Sequence, residues 1–165
     1  MTTRRIWPSS WRLRDRGLSL DCQLRGSSPR RLRDRFLSDE TLSLFALKAF
    51  WEGFDASGDA LRCVVVPKLP FASPTDPLSC ERDRREDRAW VKYSLPEAVL
   101  EVKQAAGRLI RSSTDSGVLV LADSRLVTKG YGRQFLNSLP TSHQRMDSAN
   151  VGRDLELWRH AHDRR

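Results

Sequence analysis

Apolar residues recur at three- and four-residue spacing over residues 94–110, where Leu95, Ala98, Val99, Val102, Ala106, Leu109 and Ile110 form one stripe. That period is the mark of a helix that packs by a single face. Ser94 followed by Glu97 reads as a capping box, so the helix is predicted to begin there with Pro96 in its first turn. Residues 117–123, GVLVLAD, are instead a short unbroken apolar run, which predicts a strand buried in a parallel sheet. Residues 42–50 and 62–66 carry the same signal, and residues 18–22 read as a further short strand. Ser28 and Pro29 predict the N-cap and first position of a helix whose apolar side is Leu32, Phe36 and Leu37.

The spaces between these elements are equally legible. Residues 67–77 hold four of the eight prolines, which predicts an extended, rigid connection. Residues 79–88 are dense in charges of both signs and read as a surface helix. A short helix is predicted from residue 130 to 136, ahead of Pro140. Beyond it, residues 141–165 are polar, with only Val151, Leu155, Leu157 and Trp158 at partly helical spacing. Strands alternating with helices give an α/β chain, and in open α/β sheets ligands bind beyond the carboxyl ends of the strands. The loop at residues 50–58, where Gly53 and Gly58 permit tight turning, follows a predicted strand and so falls at such an end.

Composition narrows the class. A chain of 165 residues with 39% hydrophobic and 30% charged residues can bury one core. No apolar run approaches the roughly 18 residues needed to span a bilayer, and no apolar segment follows the basic start, so neither a membrane nor a signal peptide is expected and the chain is assigned to the cytoplasm. Cys22, Cys63 and Cys80 are odd in number and widely spaced, which fits reduced thiols rather than a disulfide framework or a metal site. His160 and His162 sit in a polar tail and read as solvent-exposed. The net charge is +8, and 24 of the 29 basic residues are Arg. That balance favours a polyanionic partner.

The candidate chemistry lies on the polar side of the long helix. At about 100° per residue, Gln104, Arg108 and Arg111 fall within roughly 60° of one another, opposite the apolar stripe. Arginines on such a face are commonly only solvated. Here, however, they form Gln104-x-x-Gly107-Arg108-x-x-Arg111, which resembles motif VI of superfamily 2 helicases. Residues 49–61, AFWEGFDASGDAL, likewise resemble the motif V region of the DinG and XPD (Rad3-related) DNA helicases. The stretches VVVPKLPFASPTDPL, SLPEAVLEVKQAAGRLIR and RLVTKGYGRQFLNSLP are similar to the same family, so the likeness covers residues 18–140.

The resemblance implies the second RecA-like motor domain of such a helicase, a partial P-loop-NTPase-type parallel sheet flanked by helices. It divides the chain into a basic N-terminal segment (1–17), the motor domain (18–140) and a polar C-terminal tail (141–165). It implies that Arg108 and Arg111 act as arginine fingers on the γ-phosphate of ATP. Gln104, Gly107, Gly53, Asp55 and Glu52 would line the nucleotide cleft and couple it to a DNA track, single-stranded or forked. Location with the nucleoid would follow in a bacterium.

The departures from the family are part of the reading. The sequence holds no GxxxxGK(S/T) phosphate loop, no DEAH-like acidic box and no cluster-binding cysteine set. ATP and Mg²⁺ are therefore expected to be held mainly by a first RecA-like domain supplied in cis or trans, with no iron-sulfur cluster and no protein-held metal in this chain. It reads as a fragment, a truncated product or a separately encoded half, inactive as an ATPase by itself. The alternative is a basic remnant that binds nucleic acid or protein without chemistry. A Ser-His-Asp hydrolase is the weakest reading, because all three histidines follow Ser142.

Overall fold

The computed structural model describes residues 17–24, 26–47, 50, 54, 56, 60–109, 115–147 and 149–162. The chain divides into two compact units, residues 1–60 and 61–165.

The first unit is a strand, helix, strand arrangement. Strand β1 (Ser19–Cys22) pairs in parallel with β2 (Leu42–Phe45), with Ser19 opposite Leu42 and Cys22 opposite Phe45. Helix α1 (Pro29–Ser38) makes the crossover that a parallel pair requires. Its N-cap is the predicted one: the Ser28 hydroxyl accepts from the Arg31 amide at 3.4 Å, with Pro29 at the first position. Leu32 and Phe36 are buried, whereas Leu37 is 40% exposed, because the apolar side is one residue narrower than predicted. Arg35 reaches back to Asp21 on β1 at 2.8 Å and ties the helix to the strand. The strand predicted over residues 42–50 stops at Phe45. Its pairing ends where the Leu47 amide turns to the Gln23 side chain at 3.0 Å.

The second unit repeats the scheme. Strand β3 (Cys63–Val66) pairs in parallel with β4 (Val118–Leu121), Cys63 opposite Val118 and Val66 opposite Leu121. Between them lie α2 (Pro77–Arg85) and α3 (Leu95–Leu109), and after them α4 (Arg125–Thr128), α5 (Gly132–Ser138) and α6 (Val151–His162). The polar tail of the sequence thus contains a helix. Leu69, Leu95, Ala98, Val102, Leu126 and Phe135 form the core, with Leu121 of β4 packed against it.

The start of α3 corrects the capping-box expectation. A π-helical turn at Trp90–Ser94 precedes it, and the Leu95 amide bonds to the Trp90 carbonyl. The helical path therefore opens near Arg88, whose φ of 61° places it in the left-handed region. Burial of Ala89 and stacking of Trp90 on Phe71 (ring centroids 5.6 Å apart) draw this extra turn onto the core. Ser94 then lies inside the helical run and cannot cap it. Glu97, released from that role, accepts from Arg82 of α2 at 2.7 Å.

Gly132 opens α5 in direct contact with α4. A Cβ there would lie 2.0 Å from the Leu126 carbonyl oxygen. Since Leu126 is itself in the core, neither backbone can give way. Gly132→Ala should destabilise the chain by about 2–3 kcal/mol. Thermal denaturation followed by circular dichroism checks this, and an unchanged midpoint would contradict it.

Candidate functional site

Helix α3 buries Leu95, Ala98, Val102, Ala105 and Leu109. Ala105 takes the buried place predicted for Ala106, being three residues from Val102 and four from Leu109. With that face committed, Gln104 and Gly107 are exposed and Arg108 is half-buried in the last turn. Among the described residues the Arg108 guanidinium has no carboxylate partner. A Cβ placed on Gly107 would meet none of them within 4 Å. Nothing in the packing of α3 therefore calls for glycine at this position, although Ala would favour the helix by roughly 1 kcal/mol.

Arg111 lies outside the described residues, as do Glu52, Gly53 and Asp55. The described residues around the last three form an aromatic anchor. Phe50, Phe54 and Ala56 are buried. Phe54 meets Phe36 of α1 edge-on at 5.4 Å and Phe50 at 5.1 Å. Phe54, with Phe50 against it, thus packs on α1 within the first unit.

A second polar centre lies just beyond the carboxyl end of β4. The Asp123 carboxylate accepts from the Leu69 amide at 2.8 Å and the Arg125 amide at 2.9 Å. It also receives the Arg125 guanidinium through Nε at 3.0 Å and Nη2 at 2.6 Å. The same guanidinium lies over the Phe71 ring, 5.2 Å from its centroid. The clasp joins the chain leaving β3 to the chain leaving β4, 54 residues apart. An acid directly after an apolar strand with Arg two residues later is the only local signal. The Leu69 partner cannot be read from spacing.

The Arg125 guanidinium, helped by the two amides, holds the Asp123 carboxyl well below the usual carboxylate range. A depressed folded-state pKa means stability that is full above the unfolded value, near 3.9, and is lost as pH falls below it. Asp123→Asn should cost about 2 kcal/mol at neutral pH through loss of charge-assisted bonds. It should also flatten the acid limb of the stability curve below about pH 4. Urea titrations of both proteins at several pH values test this, and parallel curves would contradict it.

No group of three or more His, Cys, Asp or Glu is placed to hold a metal among the described residues, and no helix there is long and apolar enough to cross a membrane. Cys22, Cys63 and Cys80 are free thiols.

Residues 4–142 match the family model described as the helicase C-terminal domain. The chain is 41% identical over 147 residues to the ATP-dependent DNA helicase YoaA of Escherichia coli, an alignment covering 85% of this chain and 23% of that protein. It is 42% identical over 131 residues to the 3'-5' exonuclease DinG of Bacillus subtilis, covering 76% of this chain and 14% of that protein. It is 35% identical over 124 residues to the ATP-dependent helicase DinG of Mycobacterium tuberculosis, covering 73% of this chain and 19% of that protein. The chain thus spans a quarter or less of the length of these relatives.

Proposed function

Because this chain belongs to the helicase C-terminal domain family of DinG- and YoaA-type proteins, we propose that it acts as the second RecA-like domain of an ATP-dependent DNA helicase, with Arg108 and Arg111 as its arginine fingers. The observation that carries the reading is the polar end of α3. Arg108 stands beside a glycine with open space over it, and no described carboxylate neutralises it. A finger needs that arrangement, since an ion-paired guanidinium would have to break one bond to form another.

The chemistry follows from charge. Phosphoryl transfer spreads negative charge over the γ-phosphate oxygens, and a cation delivered from a separate domain stabilises it only when the two domains close. Hydrolysis then depends on closure, and closure moves one DNA-holding surface toward the other. Gly107 keeps the approach clear, while Gln104, on the same face, links the nucleotide to its surroundings. Glu52, Gly53 and Asp55 belong to the loop that couples the cleft to DNA. The phosphate loop and the Mg²⁺-holding carboxylates would come from a first motor domain, so the chain alone has no ATPase activity in this reading.

Two measurements test the proposal. Phosphate release by the purified chain with single-stranded DNA and Mg·ATP should stay at background, and DNA-stimulated turnover would refute the need for a partner. Mixed with the first motor domain of a YoaA-type helicase, the chain should restore turnover, and Arg108→Ala should lower it about 10³-fold or more. Equal rates would remove Arg108 from the mechanism.

Gly107→Ala separates the two demands on that position. It should leave the melting temperature unchanged or raise it, by roughly 1 kcal/mol of helix propensity, yet slow the reconstituted ATPase. Loss of stability would show that the glycine serves the fold instead.

A further inference from the structure

The aromatic residues of the second unit do not all lie in its core. Trp90 is 38% exposed although two rings hold it in place. It stacks on Phe71 with planes 26° apart and leans on Tyr131 at 5.1 Å. Phe71 in turn meets Tyr131 edge-on at 5.7 Å and Phe135 at 5.9 Å. Phe135 is fully buried, so the array is anchored from beneath. The outcome is a large apolar ring fixed in orientation at the surface.

The chain that follows the Asp123 clasp carries charge of one sign. From Ser124 to Met146 the sequence has no Asp or Glu and four basic residues, Arg125, Lys129, Arg133 and Arg145. Lys129 and Arg133 flank Tyr131 at two residues on either side, and Arg88 stands two residues before Trp90; all three are exposed. Other cations nearby are committed to partners: Arg125 to Asp123, Arg82 to Glu97 and Lys92 to Glu86. Lys129, Arg133 and Arg88 have no such partner among the described residues.

A rigid, partly exposed aromatic ring beside unpaired cations is what a single strand of nucleic acid requires. Bases stack on the ring irrespective of sequence, and cations follow the phosphates. A duplex offers the phosphates but keeps its bases stacked inside. We propose that Trp90, backed by Phe71 and Tyr131 and flanked by Lys129, Arg133 and Arg88, is a stacking platform for single-stranded DNA. The choice of DNA rests on the motor reading above, whereas the platform rests on the ring array.

Fluorescence anisotropy of a fluorescein-labelled oligothymidylate titrated with the full chain tests it, at several salt concentrations. Trp90→Ala should weaken binding about tenfold and Trp90→Phe much less, because each stacked base contributes about 1–3 kcal/mol. Removing Trp90 also removes packing, so Lys129→Glu with Arg133→Glu gives a second arm on exposed positions. That pair should reduce the slope of log affinity against log salt by about one to two. Wild-type binding that neither the Trp90 variants nor the charge variant alters would overturn the platform and leave the DNA reading intact. Equal affinity for a duplex of the same length, equally sensitive to Trp90, would overturn the single-strand assignment. Absence of wild-type binding at low salt would overturn the platform and the DNA reading together.

Discussion

Two parallel strands cannot be joined by a tight turn, and everything in the second unit answers to that constraint. The chain leaving β3 must travel back to the start of β4, and α3 is the element that makes the return while covering the strands. Because its Leu95, Ala98, Val102 and Leu109 side must face Leu121 and the core, its remaining side is turned outward without further instruction. Gln104, Gly107 and Arg108 occupy that side. The same packing that closes the fold therefore presents the groups to which the proposed chemistry is assigned.

The Asp123 clasp belongs to the same problem. A short two-stranded ladder has few backbone bonds of its own, and its carboxyl end is where the chain departs in two directions. One carboxylate that gathers the Leu69 amide, the Arg125 amide and the Arg125 guanidinium holds those departures together. The clasp also places a guanidinium over Phe71, and Phe71 supports Trp90 and Tyr131. An electrostatic link at the strand ends thus steadies the aromatic array beside it. In the first unit a simpler pair, Arg35 with Asp21, ties helix to strand.

A family likeness confined to a quarter or less of longer relatives suits a chain with these properties. In the proposed reading the cationic end of α3 acts against a second domain. An open glycine and an uncommitted arginine contribute nothing to a self-contained fold. In the proposed reading they form one half of a contact.

Much of this was legible along the chain. The period of Leu95 to Leu109, the Ser28 cap and the apolar run at residues 118–121 are local properties, set by the pitch of a helix, a side-chain oxygen near free amides and the pairing of a parallel strand, whose four residues are nonetheless only half-buried. The helicase C-terminal domain family was readable for the same reason, from residue types at fixed spacing. What spacing could not supply were choices made by distant partners. Glu97 went to Arg82 rather than to a cap because Ala89 and Trp90 found burial and extended the helix backward. Leu37 stayed exposed because α1 meets its unit over a narrower face, and Asp123 found Leu69 across 54 residues. Local rules describe what a segment can form, but which of its polar groups are consumed is decided only when the rest of the chain arrives.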